Sequence, residues 1–82
     1  MSKHVKVAIG DQVFAEGRAE AFGSVRQVSE HELVVDIENF GDVRIPSPIV
    51  VQVHDGKVVV DTRNLPGDVR AAIAGAHAAE DR

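Results

Sequence analysis

Apolar and polar residues alternate along most of the first three quarters of the chain, which is the pattern of half-buried β-strands. The alternation first appears at Val5–Ile9, and apolar residues return at Val13 and Phe14. Three alternating runs follow within residues 24–45, and two more occupy residues 49–60. The pattern predicts a β-meander of five or six short strands over residues 5–61.

Turn residues separate these runs. Asn39-Phe40-Gly41 has the composition of a short hairpin loop, and Asp55-Gly56 predicts a type I′ hairpin turn. Pro46-Ser47-Pro48 ends a strand, because neither proline can donate a ladder hydrogen bond. Val25 and Val28 lie out of alternation, which predicts a bulge near residues 26–27. Gly23 indicates a bulge or a close approach of backbones.

The pattern changes near Asn64, where three- and four-residue spacing replaces alternation. Asn64 is a candidate helix cap, Pro66 falls in the first turn, and Asp68 favours the positive end of the dipole. We expect a C-terminal helix over residues 65–78 and a frayed tail over 79–82. The fold class is therefore α+β, mainly β: one domain (1–82) with a small antiparallel β-barrel or strongly bent sheet of five to six strands and one C-terminal helix.

The last predicted hairpin is apolar on both faces. By alternation Ile49, Val51 and Val53 share one face, while Val50 and Val59 point to the other. The predicted helix is short and rich in alanine, so it should cover only part of these side chains. Contiguous apolar patches on small proteins usually mark contacts, so we expect self-association. The candidate interface residues are Val34, Val50, Val59, Val69 and Ile73.

Composition narrows the function classes. The 82 residues carry a net charge of −4 and no cysteine, which argues against binding to a phosphate backbone and excludes disulfides and cysteine-ligated metals. No apolar stretch approaches the ~20 residues that span a bilayer. The expectations are no membrane insertion and a cytoplasmic location.

No group of residues predicts an active site, a cofactor or a metal. His4, His31, His54 and His77 are too far apart in sequence for a metal motif. Asp36, Glu38 and Asp42 should share the outer side of one hairpin, where a solvated carboxylate face is the simplest interpretation. No serine lies in a nucleophile elbow.

The order of the short strand and turn motifs along the chain resembles that of the PRC-barrel family. These are small β-barrels found in the H subunit of photosynthetic reaction centres and in a bacterial ribosome maturation factor. The matching residues are Gly10-Asp11-x-Val13-Phe14, Gly23-x-Val25-x-x-Val28, Leu33-Val34-Val35, Asp42-Val43-x-Ile45-Pro46, Ile49-Val50-x-x-Val53 and Gly56-Lys57-Val58-Val59-Val60. The segment between Phe14 and Ser24 is longer than the family's turn, and the C-terminal helix lies outside the family pattern. The resemblance implies an interaction module and carries no catalytic residue.

The predicted function is thus a non-enzymatic protein–protein interaction or self-association module, most simply a homodimer. One alternative is an RNA- or ribosome-associated domain, which would need Arg18, Arg26 and Arg44 to cluster. Base stacking would have to use Phe22 or Phe40, since Phe14 is expected in the core. A second alternative is a protein that binds a small ligand or a metal, which would require a closed pocket holding histidines or carboxylates.

Overall fold

The computed structural model describes residues 7–78, and the side chains of residues 7–75. The elements in chain order are β1 (Gln12–Ala15), β2 (Ala21–Val28), β3 (Glu32–Ile37), β4 (Gly41–Pro46), a short 3-10 helix (Ser47–Ile49), β5 (Val50–His54), β6 (Lys57–Val60) and α1 (Gly67–Ala78). The predicted class, mainly β with one C-terminal helix, is confirmed.

The six strands form one sheet in the order β4-β3-β2-β1-β6-β5. All neighbours are antiparallel except β1 and β6, which pair in parallel with Val13 opposite Val58. The sheet is therefore mixed, whereas the sequence pattern predicted an antiparallel meander. The parallel pair places β1 in the middle of the sheet instead of at its edge.

The sheet is strongly bent but is not closed into a barrel. β4 and β5 are its two opposite edges, yet only the three residues Ser47–Ile49 join them. The four Cα steps from Pro46 to Val50 reach at most about 15 Å. The edges of a flat six-stranded sheet would be about 24 Å apart. The sheet must therefore curl until its edges approach each other beside the 3-10 helix.

The concave face of the bent sheet encloses the core. Its fully buried side chains come from five strands and include Phe22, Val35, Ile37, Ile45 and Val58. Leu65, Val69 and Ile73 add to this cluster from the C-terminal segment. Helix α1 contacts β2 and β3, so it covers the core beside those two strands.

Several local predictions are confirmed. Asp55 (φ 52°) and Gly56 (φ 77°) both have the left-handed conformation that a type I′ turn requires. The register between β2 and β3 shifts between Val25 and Gln27, so Arg26 lies at the predicted bulge. A Cβ atom at Gly23 would collide with the backbone carbonyl oxygen of Asp36, which explains why a glycine occupies this strand position.

Two boundaries differ from the prediction. The described part of the expected strand Val5–Ile9 is not a strand, and the side chain of Ile9 is 70% exposed. The helix begins at Gly67, where the Pro66 carbonyl accepts the first helical hydrogen bond from Arg70. Pro66 therefore occupies the cap position assigned to Asn64. The predicted frayed tail, 79–82, lies outside the described residues.

Candidate association surface on the outer face of the sheet

The convex face of the sheet carries a short row of apolar side chains across three adjacent strands. Phe14 on β1 is paired with Ala21 on β2 and with Val59 on β6. All three are partly exposed, while their strand neighbours Val13 and Val58 are buried on the opposite face. The Nζ atom of Lys57 lies 5.9 Å from the centroid of the Phe14 ring, within cation–π range. We call Ala21, Phe14 and Val59 the apolar strip.

A shallow depression of about 280 Å³ adjoins the strip. It is lined by Gln12, by residues 21–24 of β2, and by Asp36 and Glu38. On its floor β2 carries the small side chains of Ala21 and Ser24, whereas Gly23 is paired with the core residues Val13 and Ile37 of the opposite face. The small residues on β2 therefore leave a space between larger side chains on the two flanking strands. We call this space the hollow.

The rim of the hollow is acidic. Asp36 lies directly opposite Asp42 on β4, and Asp42 is 3.8 Å from Arg26. Neither Asp36 nor Glu38 has an ion-pair partner within residues 7–75. On the other side of the strip, Lys57 likewise has no carboxylate partner among the described side chains. The outer face thus presents an unpaired cation and two unpaired anions.

The predicted interface valines do not form one patch. Val34 lies on the outer face opposite Arg44, three strands away from Val59, with polar side chains between them. Val50 pairs with Val60 and packs against the core from the inner face. The assignment of Val50 to the outside was wrong because β5 has a bulge between Val50 and Gln52, which leaves Val51 exposed instead. A slip of one residue reverses the face of each side chain.

Val69 and Ile73 are each only 7% exposed, because they pack on the core of their own chain. They offer little surface to a second molecule. Phe14 was expected in the core, yet it is partly exposed on the outer face, whereas Phe22 is buried. The register shift between Val13 and Phe14 in the β1–β2 pair explains the difference, since it turns Phe22 inward.

The arginines required by the RNA alternative do not form one cluster, because Arg18 lies apart from Arg26 and Arg44, which flank Val34 on β3. Arg18 lies in the loop before β2, while Arg26 lies near the far end of that strand. Arg26 and Arg44 each face a carboxylate, Asp42 at 3.8 Å and Glu32 at 3.7 Å. The geometry therefore gives no basic groove along this part of the chain.

No buried polar or charged side chain occurs within residues 7–75. That range also contains no group of three residues suited to hold a metal. The imidazoles of His31 and His54 are 93% and 49% exposed, and His4 and His77 lie outside the described side chains. Among the described residues, the ion pair with the shortest distance joins Arg63 and Asp61. Arg63 donates to the Asp61 carboxylate from its guanidinium (2.8 Å) and from its backbone N–H, which lowers the pKa of Asp61 to about 2.

Comparison with protein-family models, curated proteins and solved structures finds no match to this chain. The resemblance to PRC-barrel domains therefore stays a prediction. Within the described residues, no helix is both long and apolar enough to cross a membrane.

Proposed function

We propose that this domain is a non-enzymatic protein–protein association module whose contact surface is the apolar strip together with the hollow. The observation that carries the proposal is the position of Phe14. A phenylalanine in the middle of the convex face, flanked by Ala21 and Val59, contributes nothing to the core on the opposite face. Aromatic side chains at the centre of an apolar patch are typical anchors of protein contacts.

The surrounding polar groups also support association. Lys57 on one side, and Asp36 and Glu38 on the other, stand beside the strip without ion-pair partners in the described part of the chain. A polar rim around an apolar centre excludes water and selects a partner by charge. A cytoplasmic location remains part of the proposal.

Site-specific photo-crosslinking tests the function. A photoreactive amino acid at Gln12, in the wall of the hollow, should give a covalent product with another polypeptide in lysate of the source cells. The same group at Ala71, exposed on α1, is the matched control and should give none. The product from Gln12 should disappear when Phe14→Ser is added, and it should be found in the cytoplasmic fraction.

A product that forms equally from both positions, or one that persists in the Phe14→Ser variant, would contradict an association surface at the strip. So would the absence of any product from Gln12. The experiment does not depend on the identity of the partner, because a second copy and a different protein both give a product.

A further inference from the structure

We propose that the partner of this surface is a second copy of the same chain, with Phe14 of each copy inserted into the hollow of the other. This inference rests on the proposed function and names its partner. It follows from three features of the outer face: a partly exposed aromatic group, a depression beside it, and charges of opposite sign on the two flanks.

The shapes are complementary under a two-fold axis. Phe14 on β1 and Ala21 on β2 lie directly opposite each other in adjacent central strands. A two-fold axis parallel to the strands and passing between β1 and β2 exchanges these positions. The Phe14 ring of one copy then lies over Ala21 of the other, which lines the 280 Å³ hollow. Two-fold contacts of this kind use the same patch twice.

The charges are complementary under the same axis. β6 and β3 are the next strands outward on the two sides of the β1–β2 centre, so the axis exchanges them. Lys57 is paired with Gln12 on β1, and Asp36 is paired with Ser24 on β2. Since Gln12 is paired with Ser24, Lys57 of one copy meets Asp36 of the other. Glu38, on the same rim, adds a second acceptor.

The alternative axis within the same plane does not give this match. An axis perpendicular to the strands would bring β6 against β6 and β3 against β3, so Lys57 of one copy could not meet Asp36 of the other; where it passes through their row it would join like charges, which oppose association. The charges therefore favour one orientation of two copies. Because the face is convex, the contact is confined to the central strands, and it should be a weak, concentration-dependent dimer rather than an obligate one.

Charge reversal tests the arrangement. Each dimer contains the Lys57–Asp36 pair twice, so Lys57→Asp or Asp36→Lys alone should weaken dimerisation about tenfold. Both variants should stay folded, because Lys57 is exposed and Asp36→Lys replaces a like-charge pairing with Asp42 by an attractive one. Arg70→Asp, on the exposed side of α1, is the matched control and should dimerise like the wild type.

A mixture of the two variants gives the decisive result. In a Lys57→Asp/Asp36→Lys heterodimer, both inter-chain pairs again join opposite charges. Adding unlabelled Asp36→Lys protein to ¹⁵N-labelled Lys57→Asp protein should shift the amide resonances of Phe14 and Ala21, while each variant alone at the same total concentration shows a much smaller shift. Sedimentation equilibrium of the wild type from about 1 µM to about 1 mM, the range of transient contacts, should show the mass rising towards that of a dimer.

A wild type that stays monomeric throughout this range would overturn the inference, and so would a mixture that behaves like the separate variants. Either result leaves the proposed function standing if Gln12 still crosslinks to a different protein in a Phe14-dependent manner. If Gln12 gives no crosslink of any kind, the proposed function fails as well.

Discussion

Replacing Gly23 by alanine should destabilise the fold strongly, although it adds only one methyl group. The new Cβ atom would collide with the backbone carbonyl oxygen of Asp36 and would lie 3.2 Å from the Val35 side chain. The backbone of Gly23 is not in the left-handed region, so the cost is steric and not conformational. The clash is with backbone, which cannot rotate away as a side chain can.

The magnitude follows from where Gly23 lies. β2 and β3 are both internal strands, paired on each side, so neither can move without disturbing a hydrogen-bonded ladder. Overpacking a well-packed site costs about 1–3 kcal/mol, and we expect the upper end, about 3 kcal/mol. A domain of this length has a free energy of unfolding of about 4–12 kcal/mol. The variant should lose a quarter or more of it, with a fall in Tm of about 12–24 °C.

Gly75→Ala is the matched control, because it makes the same chemical change in α1 where nothing lies within 4 Å of the added Cβ atom. Alanine is favoured over glycine in a helix by up to about 1 kcal/mol, so this variant should gain stability. Any effect of the substitution on the unfolded chain is common to both variants. Far-UV circular dichroism during thermal and urea unfolding is the appropriate measurement, since the chain has no tryptophan or tyrosine.

If Gly23→Ala is as stable as the wild type, the close approach of β2 and β3 at Asp36 does not exist. A loss of similar size in Gly75→Ala would show instead that the measurement reports a general effect of the substitution.

Two further predictions concern the electrostatics and the two faces of the last hairpin. The pKa of Asp61, followed by ¹³C NMR of its carboxyl group, should be about 2 and should rise towards its ordinary 3.8 in Arg63→Gln. Because the pKa of Asp61 is lower in the folded state, the Asp61–Arg63 pair stabilises the fold fully above the unfolded pKa. This stabilisation is lost as the pH falls through about 2. An unshifted Asp61 would contradict the hydrogen bonds from Arg63. Val50→Lys should lower the free energy of unfolding in urea by several kcal/mol, because it places a charge against the core. Val59→Lys should lower it by less than about 1 kcal/mol and should abolish the crosslink from Gln12. Equal destabilisation by the two substitutions would refute the assignment of these valines to opposite faces.

Local signals in the sequence predicted most of the elements, because each depends on neighbouring residues. The Asp55-Gly56 turn, the strand end at Pro46 and the bulge at Arg26 are all present. The parallel pairing of β1 with β6 left no such signal, since alternation is the same in a strand whichever direction its neighbour runs. It depends on contacts between residues more than forty positions apart.

The candidate surface was predicted less well than the fold, and the reason is also physical. A bulge adds one residue to a strand, so each side chain beyond it changes face relative to simple alternation. The bulge in β5 moved Val50 inward, and the register shift in the β1–β2 pair turned Phe22 inward while Phe14 stayed outside. The sequence placed Val34 and Val59 correctly on the outer face, but it also placed Val50 there and assigned Phe14 to the core.

The strand order places the proposed two-fold contact at the centre of the sheet. In a simple meander β1 would be an edge strand, and Phe14 would stand at the margin of the sheet beside an open backbone edge. The parallel pair inserts β6 and β5 on the free side of β1, so β1 and β2 become the two central strands. The same insertion brings Lys57 to one flank of the centre, while β3 carries Asp36 on the other. One topological feature thus sets the position of the aromatic group, of the hollow beside it and of the opposite charges, and the charge-reversal mixture tests all three together.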